Sequence, residues 1–256
     1  MAKVIAVTNQ KGGVGKTTTC INVGAELARL ENRVLTIDLD HQANLTKVLS
    51  GGEHEFDLTV ADLFANQKAK IEDAILPAMS NGKEIEGLFF IPSHITLSRV
   101  IEQSLTRVHR ERILQRHLKK VINQFDYVLL DCPPSLSLGV TNAIMVADLF
   151  LMPVDGGRFA LDGLSDLLDA IEEVKETEQV NFAVFRNEFA SQNKLINDFL
   201  SEQLEGINGN VLKTTVRRAE AIGQASVTAQ PLALYAKSAL ANRDYRALTK
   251  EILDRV

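Results

Sequence analysis

Cysteine is scarce. Cys20 and Cys132 are the only two, too few for the disulfide framework of a small secreted domain, so a reducing, cytoplasmic compartment is expected. Long hydrophobic runs are also missing, and none approaches the ~20 residues that a membrane-spanning helix requires. Met1-Ala2-Lys3-Val4-Ile5 leads directly into a polar, Gly-rich stretch, which is not the pattern of a cleaved leader. Positive charge is not in excess: 28 Lys and Arg stand against 33 Asp and Glu, a net charge of −5. That excludes a histone-like basic coat but leaves room for a local nucleic-acid patch. Internal repeats and low-complexity linkers are absent as well. At 256 residues, 45% of them hydrophobic, the chain can bury most of its apolar surface. We expect one domain over residues 1–256.

What is present is an alternation. Short apolar runs at Val4–Val7, Val34–Ile37, Leu88–Ile91, Tyr127–Leu130, Leu149–Val154, Phe182–Phe185 and Val211–Val216 have the length and composition of strands buried on both faces. Between most of them lie stretches with helical spacing, such as Ile21, Ala25 and Ala28, or Leu164, Leu167, Leu168, Ile171 and Val174. Strand–helix–strand repetition predicts an α/β fold, a mostly parallel twisted sheet flanked by helices on both faces. Gly51 to Asp57 and Pro77 to Gly87 read as surface connections. Arg99 to Lys120, with Leu105, Val108, Ile113, Leu114, Leu118 and Val121, reads as one amphipathic helix.

The most informative stretch is Asn9-Gln10-Lys11-Gly12-Gly13-Val14-Gly15-Lys16-Thr17-Thr18-Thr19. It follows an apolar strand and opens a helix, the context that a phosphate-binding loop requires. Its glycines let backbone N–H groups point at phosphate oxygens, and the helix N-terminus adds positive dipole at the same place. Lys16 is placed to reach the β- and γ-phosphates, and the Thr17 hydroxyl to hold Mg²⁺. The usual pattern would have glycine at position 10; here it is Gln10, and a second lysine, Lys11, stands near the start of the loop. This is a deviant Walker A loop. Asp131 ends the apolar strand Tyr127–Leu130, the Walker B arrangement that brings a carboxylate to Mg²⁺. Asp38 and Asp40 end the strand Val34–Ile37, and ligands of such sheets bind outside the carboxyl ends of the strands.

These motifs together resemble the ParA/Soj partition ATPases of the wider ParA/MinD family. Asp38-Leu39-Asp40-His41-Gln42-Ala43-Asn44 is similar to that family's second motif, and Tyr127 to Ser135, through Asp131-Cys132-Pro133-Pro134, to its third. Phe159-Ala160-Leu161-Asp162-Gly163-Leu164 and Pro231-Leu232-Ala233-Leu234-Tyr235 match later segments. The resemblance runs over nearly the whole chain. It implies a Mg²⁺-dependent ATPase in which Lys11, Gly12, Gly13, Val14, Gly15, Lys16, Thr17 and Thr18 hold the nucleotide. Asp40 orients the attacking water, while Thr17 and Asp131, with Asp38 in the outer shell, attend the metal. It implies that Lys11 crosses into a second subunit, so that two ATP molecules are sandwiched in a homodimer. Asn187 falls where relatives use an amide on adenine. Thr214-Thr215-Val216-Arg217-Arg218 falls where relatives often carry Ile-Pro-Arg-Asn, with Thr215 in place of the proline and Arg217 near the nucleotide. The guanine-specific Asn-Lys-x-Asp element is absent.

The resemblance also implies partners. ParA relatives bind DNA non-specifically through basic residues of the C-terminal third; Lys213, Arg217 and Arg218 are the matching positions. Such binding rests on phosphate contacts and weakens with salt. A ParB-like activator or cargo adaptor would stimulate hydrolysis, and the protein would be cytoplasmic and nucleoid-associated. The chain starts at the strand before the loop, so an N-terminal helix-turn-helix domain is not expected. A membrane-cycling, MinD-like role would need a C-terminal amphipathic anchor. Leu240 to Val256 lacks the lysine-rich face for one and reads as a closing helix packed on the domain, and no membrane partner is expected. An ATP-dependent amidase or ligase of the same loop class is the third reading. An iron–sulfur cluster at Cys132 would need two thiolates per subunit; both cysteines are better read as small buried hydrophobes.

Overall fold

A computed structural model describes residues 1–157 and 163–256. Most of the Phe159–Leu164 motif lies outside the described residues. The strands are β1 (Lys3–Val7), β2 (Val34–Asp38), β3 (Leu76–Ser80), β4 (Lys83–Ile91), β5 (Tyr127–Asp131), β6 (Leu149–Val154), β7 (Phe182–Phe189) and β8 (Val211–Arg217). The helices are α1 (Lys16–Arg29), α2 (Asn44–Leu49), α3 (Val60–Ala65), α4 (Leu97–Ser104), α5 (Ile113–Leu118), α6 (Leu138–Val146), α7 (Leu164–Lys175), α8 (Lys194–Leu204), α9 (Glu220–Val227), α10 (Leu232–Tyr235) and α11 (Leu240–Leu253).

The strands form one sheet in the order β3-β4-β2-β5-β1-β6-β7-β8. Every pairing is parallel except β3 with β4. The expected α/β fold is therefore present, and all the apolar runs lie in strands. Their continuous hydrophobicity follows from burial on two sides. Val4 and Ala6 face one core with Val128, Leu130, Phe150 and Met152. Ile5 and Val7 face the other with Leu129, Leu149 and Leu151, under α1 and α11. Helix α1 lies so close to the sheet that a Cβ on Gly24 would meet Thr36, Leu129 and Leu88 at 3.2–3.3 Å.

Two expectations need correction. Pro77 to Gly87 is not a surface connection: Leu76–Ser80 and Lys83–Ile91 form an antiparallel hairpin. Its turn is Asn81-Gly82, both at positive φ (51° and 71°), the conformation that favours an Asn-Gly pair in a two-residue hairpin loop. Arg99 to Lys120 is not one helix. It divides into α4, a turn with His109 at φ 56°, a 3₁₀ segment (Arg110–Arg112) and α5. Asn142 of α6 holds the break, accepting from Leu114 N at 2.9 Å and donating to the Arg110 carbonyl at 2.8 Å. Arg107 turns back to donate to the carbonyls of Phe64 and Ala65 at the end of α3. Arg99, Arg110, Arg112, Arg116, Lys119 and Lys120 are all exposed, as a solvated face would be.

Helix α11 closes the domain as expected. Ala241, Tyr245, Leu248 and Ile252 are buried in the core that also holds α1. None of the described helices is long and apolar enough to cross a membrane.

Leu129 is fully buried in the central strand β5. Leu129→Ala is expected to cost about 2–5 kcal/mol of folding stability. Urea unfolding should show a lower midpoint with an unchanged slope; a loss below about 1 kcal/mol would mean that the sheet collapses around the cavity.

A candidate nucleotide and metal site at the strand ends

The register of the central strands gathers the motifs. Val7 pairs with Asp131, Asp38 pairs with Asp131, and Val7 also pairs with Leu151. The ends of β2, β5 and β1 are thus level, β6 runs on from Leu151 to Val154, and the loops leaving all four share one edge. The phosphate loop leaves β1 there and enters α1 at Lys16.

Local contacts fix the loop. Asn9 is buried; its Nδ2 donates to the Pro153 carbonyl at 2.8 Å and its Oδ1 accepts from Lys11 N at 2.9 Å. Val14 is fully buried. Gly15 caps α1 at φ 86°, ψ 28°, a left-handed conformation that glycine adopts without steric cost. A Cβ there would also stand 2.2 Å from Asn187 Nδ2. Gly12 and Gly13 are exposed, with nothing within 4 Å of an added Cβ, so a ligand can approach their backbone closely. Thr19 Oγ1 donates to the Gly15 carbonyl at 2.7 Å. Asn22 ties α1 to α10 by accepting from Leu232 N at 2.9 Å, which gives the Pro231–Tyr235 motif a packing role.

Lys16 is buried at the start of α1, and its Nζ donates to the Lys11 carbonyl at 2.7 Å. Burial lowers its pKa, while Asp131 and Asp40 pull it back up. Asp131 is buried, and neither of its carboxylate oxygens has a hydrogen-bond partner. Burial pushes it well above the ordinary carboxylate range, and Asp38 pushes it further; Thr17, near it but short of a well-formed hydrogen bond, and Lys16 pull it down. Asp38 is fully buried, and burial raises it to about 6. Its Oδ2 accepts from the Thr46 hydroxyl at 2.7 Å and from Thr46 N at 2.9 Å; its Oδ1 accepts from Asp40 N at 3.1 Å. Both oxygens therefore hold the β2–α2 turn. Asp40 is less enclosed: its side chain is 14% exposed, and Oδ1 accepts from Gln42 N at 3.0 Å.

These features fit a Mg²⁺–nucleotide. A buried carboxylate without hydrogen-bond donors suits a cation, and a cationic loop at a helix N-terminus suits an anion. Among the described residues, no three His, Cys, Asp or Glu side chains converge as a metal cage. That suits Mg²⁺, which takes one or two carboxylates, a hydroxyl and the substrate's own phosphates. Thr17 and Asp131 are the residues placed to hold it.

Asn187, expected at adenine, is buried beneath the loop and donates to the Val14 carbonyl at 2.8 Å. The positive φ of Glu188, 52°, marks the strand irregularity between Arg186 and Phe189. Arg217 makes a two-pronged pair with Asp244 at 2.6 and 2.8 Å, its side chain 44% exposed. Arg218 and Lys213 are exposed. Lys11 is not free: its Nζ donates to both oxygens of Asp155, at 2.6 and 2.9 Å. Asp155 is not among the residues expected from the sequence, although it follows the apolar strand β6 as Asp131 ends β5. Cys20 and Cys132 are buried and their thiols are pushed up by burial, the state of small hydrophobes.

The buried carboxylates set a pH dependence. The folded value of Asp38, about 6, lies above its ordinary 3.8, so the folded chain holds that proton more tightly than the unfolded one. Stability of the nucleotide-free protein should therefore fall as pH rises from about 4 to 6. Asp131→Asn removes the second buried charge. It is expected to raise the nucleotide-free Tm by about 2–4 °C, as for ~1 kcal/mol in a chain of this size, and to abolish the further rise given by Mg²⁺ with ATP. A lower Tm would show that Asp131 is already satisfied.

Comparison with known proteins agrees with this geometry. Residues 2–184 match the AAA domain family. Soj, the sporulation initiation inhibitor protein of Bacillus subtilis, is 33% identical over 98% of both chains. The chromosome-partitioning ATPase Soj of Treponema pallidum is 31% identical over 100% of this chain and 98% of its own. Among solved structures, cobyrinic acid a,c-diamide synthase of Mycobacterium smegmatis with bound ADP and magnesium superposes with a TM-score of 0.82 at 27% identity, over 99% of this chain and 94% of that one. The chain belongs to the ParA/Soj family of P-loop partition ATPases.

Proposed function

We propose that this protein is a Mg²⁺-dependent partition ATPase that positions DNA or another large cargo by cycling between an ATP dimer and a monomer. The observation that carries the reading is the unpartnered Asp131 carboxylate, buried beside Lys16 and Thr17 at the mouth of the phosphate loop. When bound, Mg²⁺–ATP supplies the reactive γ-phosphate and the divalent charge. Lys16 would turn from the Lys11 carbonyl to the β- and γ-phosphates. Thr17 and Asp131 would hold the metal. Asp40 would hold the attacking water, and the Asp38–Thr46 contacts keep the Asp40 backbone in place for it.

Lys11 would reach the nucleotide of a second subunit, so that γ-phosphate charge favours the dimer and hydrolysis releases it. Asn187 supports the loop from below, and any adenine contact would have to come from the amide oxygen or from the loop after β8. Dimerisation would double the basic surface of Lys213 and Arg218 and make DNA affinity depend on ATP. Arg217 would join it only by leaving Asp244. A ParB-like activator or adaptor would stimulate hydrolysis, with the protein cytoplasmic and nucleoid-associated.

Two other readings have specific observations to weigh. A membrane-cycling role has to contend with α11, whose apolar face is spent on the core. The likeness to a diamide synthase favours an ATP-dependent amidation, in which turnover would need an amide donor and ignore DNA.

The test is binding to non-specific duplex DNA with ATP, with ADP and without nucleotide, at two salt concentrations. The proposal expects binding with ATP alone, weakened by salt; binding in no state, or equally in all, would remove the DNA role. Two variants test the cycle. Lys11→Ala should retain ATP binding but stay monomeric on sizing. Asp40→Ala should trap the ATP dimer on DNA with turnover lower by about a hundredfold, the low end of what loss of such a group brings; wild-type turnover would dismiss Asp40 from that role.

A further inference from the structure

We propose that Asp155 is a positioning residue that latches Lys11 within its own subunit and so sets the threshold for nucleotide-dependent dimerisation. The inference rests on the proposed role of Lys11 between subunits and names a regulation of that site.

The geometry is specific. Two of the three ammonium donors of Lys11 go to Asp155, at 2.6 Å to Oδ1 and 2.9 Å to Oδ2. Asp155 is itself oriented, since Oδ1 also accepts from Gly157 N at 3.2 Å. The lysine lies across a residue that has no side chain: a Cβ on Gly157 would stand 2.4 Å from Lys11 Nζ and 3.3 Å from Asp155 Oδ1. The neighbouring Gly156 has the same constraint on its other side, where a Cβ would meet Ile196 at 2.6 Å. Gly157 thus leaves the room that the bound lysine occupies. At its other end the backbone of Lys11 is fixed as well, with its N–H on Asn9 and its carbonyl on Lys16. Side chain and backbone together hold Lys11 against its own subunit.

The pair is strong enough to matter and weak enough to break. Its side chains are 31% and 24% exposed, and ion pairs open to solvent are screened and individually weak. One carboxylate offers a single negative charge. A terminal phosphate with its neighbours offers more, in a site that closure dries. Lys11 would exchange Asp155 for phosphate when a partner brings ATP, and the poorer exchange with ADP would leave the latch shut. Asp155 therefore raises the concentration at which dimers form and sharpens the choice of ATP over ADP.

The experiment is sedimentation velocity over a range of protein concentrations with Mg²⁺ and a non-hydrolysable ATP analogue, repeated with ADP. Asp155→Asn keeps an acceptor for Gly157 and removes the charge. It should lower the dimer Kd about tenfold, or about 1.4 kcal/mol, and narrow the gap between the analogue and ADP. Gly157→Ala, which crowds the ammonium off without altering charge, should shift the Kd the same way. Asp155→Glu should return it towards wild type, and Lys11→Ala should abolish the dimer in either background. An unchanged or weaker dimer in Asp155→Asn, with the wild type dimerising normally, overturns the latch and leaves the proposed function standing. A dimer in Asp155→Asn alone, with the wild type monomeric, supports both. No dimer in either protein overturns both.

Discussion

Two carboxylates, Asp38 and Asp131, lie side by side at the ends of adjacent strands, both buried, with one lysine between them and the phosphate loop. Burying charge is costly unless each group finds a partner. Asp38 finds its partners in Thr46 and the Asp40 backbone. Asp131 finds no hydrogen bond. The rest of the site is arranged around that imbalance. The β2–α2 turn is pinned by Asp38, which places Asp40 beside the loop. The loop is pinned by Asn9 from one side and Asn187 from the other, which places Lys16. A divalent cation carried by a nucleotide supplies the positive charge that Asp131 lacks, while the loop supplies the donors that the phosphates need.

The same imbalance explains how ligand charge can be turned into a change of surface. Both lysines of the loop are engaged internally, Lys16 by a carbonyl and Lys11 by Asp155. The Lys11 pair is partly open to solvent, and Lys16, though buried, gives its ammonium one carbonyl. A triphosphate offers each lysine a better partner, and the proposed movement of Lys11 towards a second subunit is the step that couples binding to assembly. In the proposed cycle the difference in charge between ATP and ADP carries the signal, without a large rearrangement of the sheet.

Much of this was legible in the sequence, for physical reasons that can be named. Strands buried on both faces carry unbroken apolar runs, so β1, β2 and β5 announced themselves, and the carboxylates at their ends followed. The loop was legible because glycine spacing, the preceding strand and the following helix agree. Other features depend on contacts between distant segments. The break between α4 and α5 is held by Asn142, about thirty residues on, and no local pattern marks it. The hairpin at Asn81-Gly82 did carry a local signal, but its first strand, Leu76–Ser80, is an edge strand interrupted by Pro77 and lacks the apolar run of the central ones. Asn187 is consistent with a base contact from its place in the chain, yet its amide nitrogen is engaged beneath the loop by the Val14 carbonyl. Arg217 reads as free positive charge until Asp244, from the closing helix, is seen beside it.

In the proposed cycle Asp131, raised by burial and by Asp38, takes the cation that arrives with the nucleotide. Calorimetric titration of the protein with ATP near neutral pH, with and without Mg²⁺ and in buffers of different ionisation enthalpy, tests it most directly. The account predicts that Mg²⁺ strengthens ATP binding and that Mg²⁺–ATP binding releases protons, because a cation beside the carboxylate pair lowers both pKa values. Binding of equal strength without the metal, with no proton released, would contradict it.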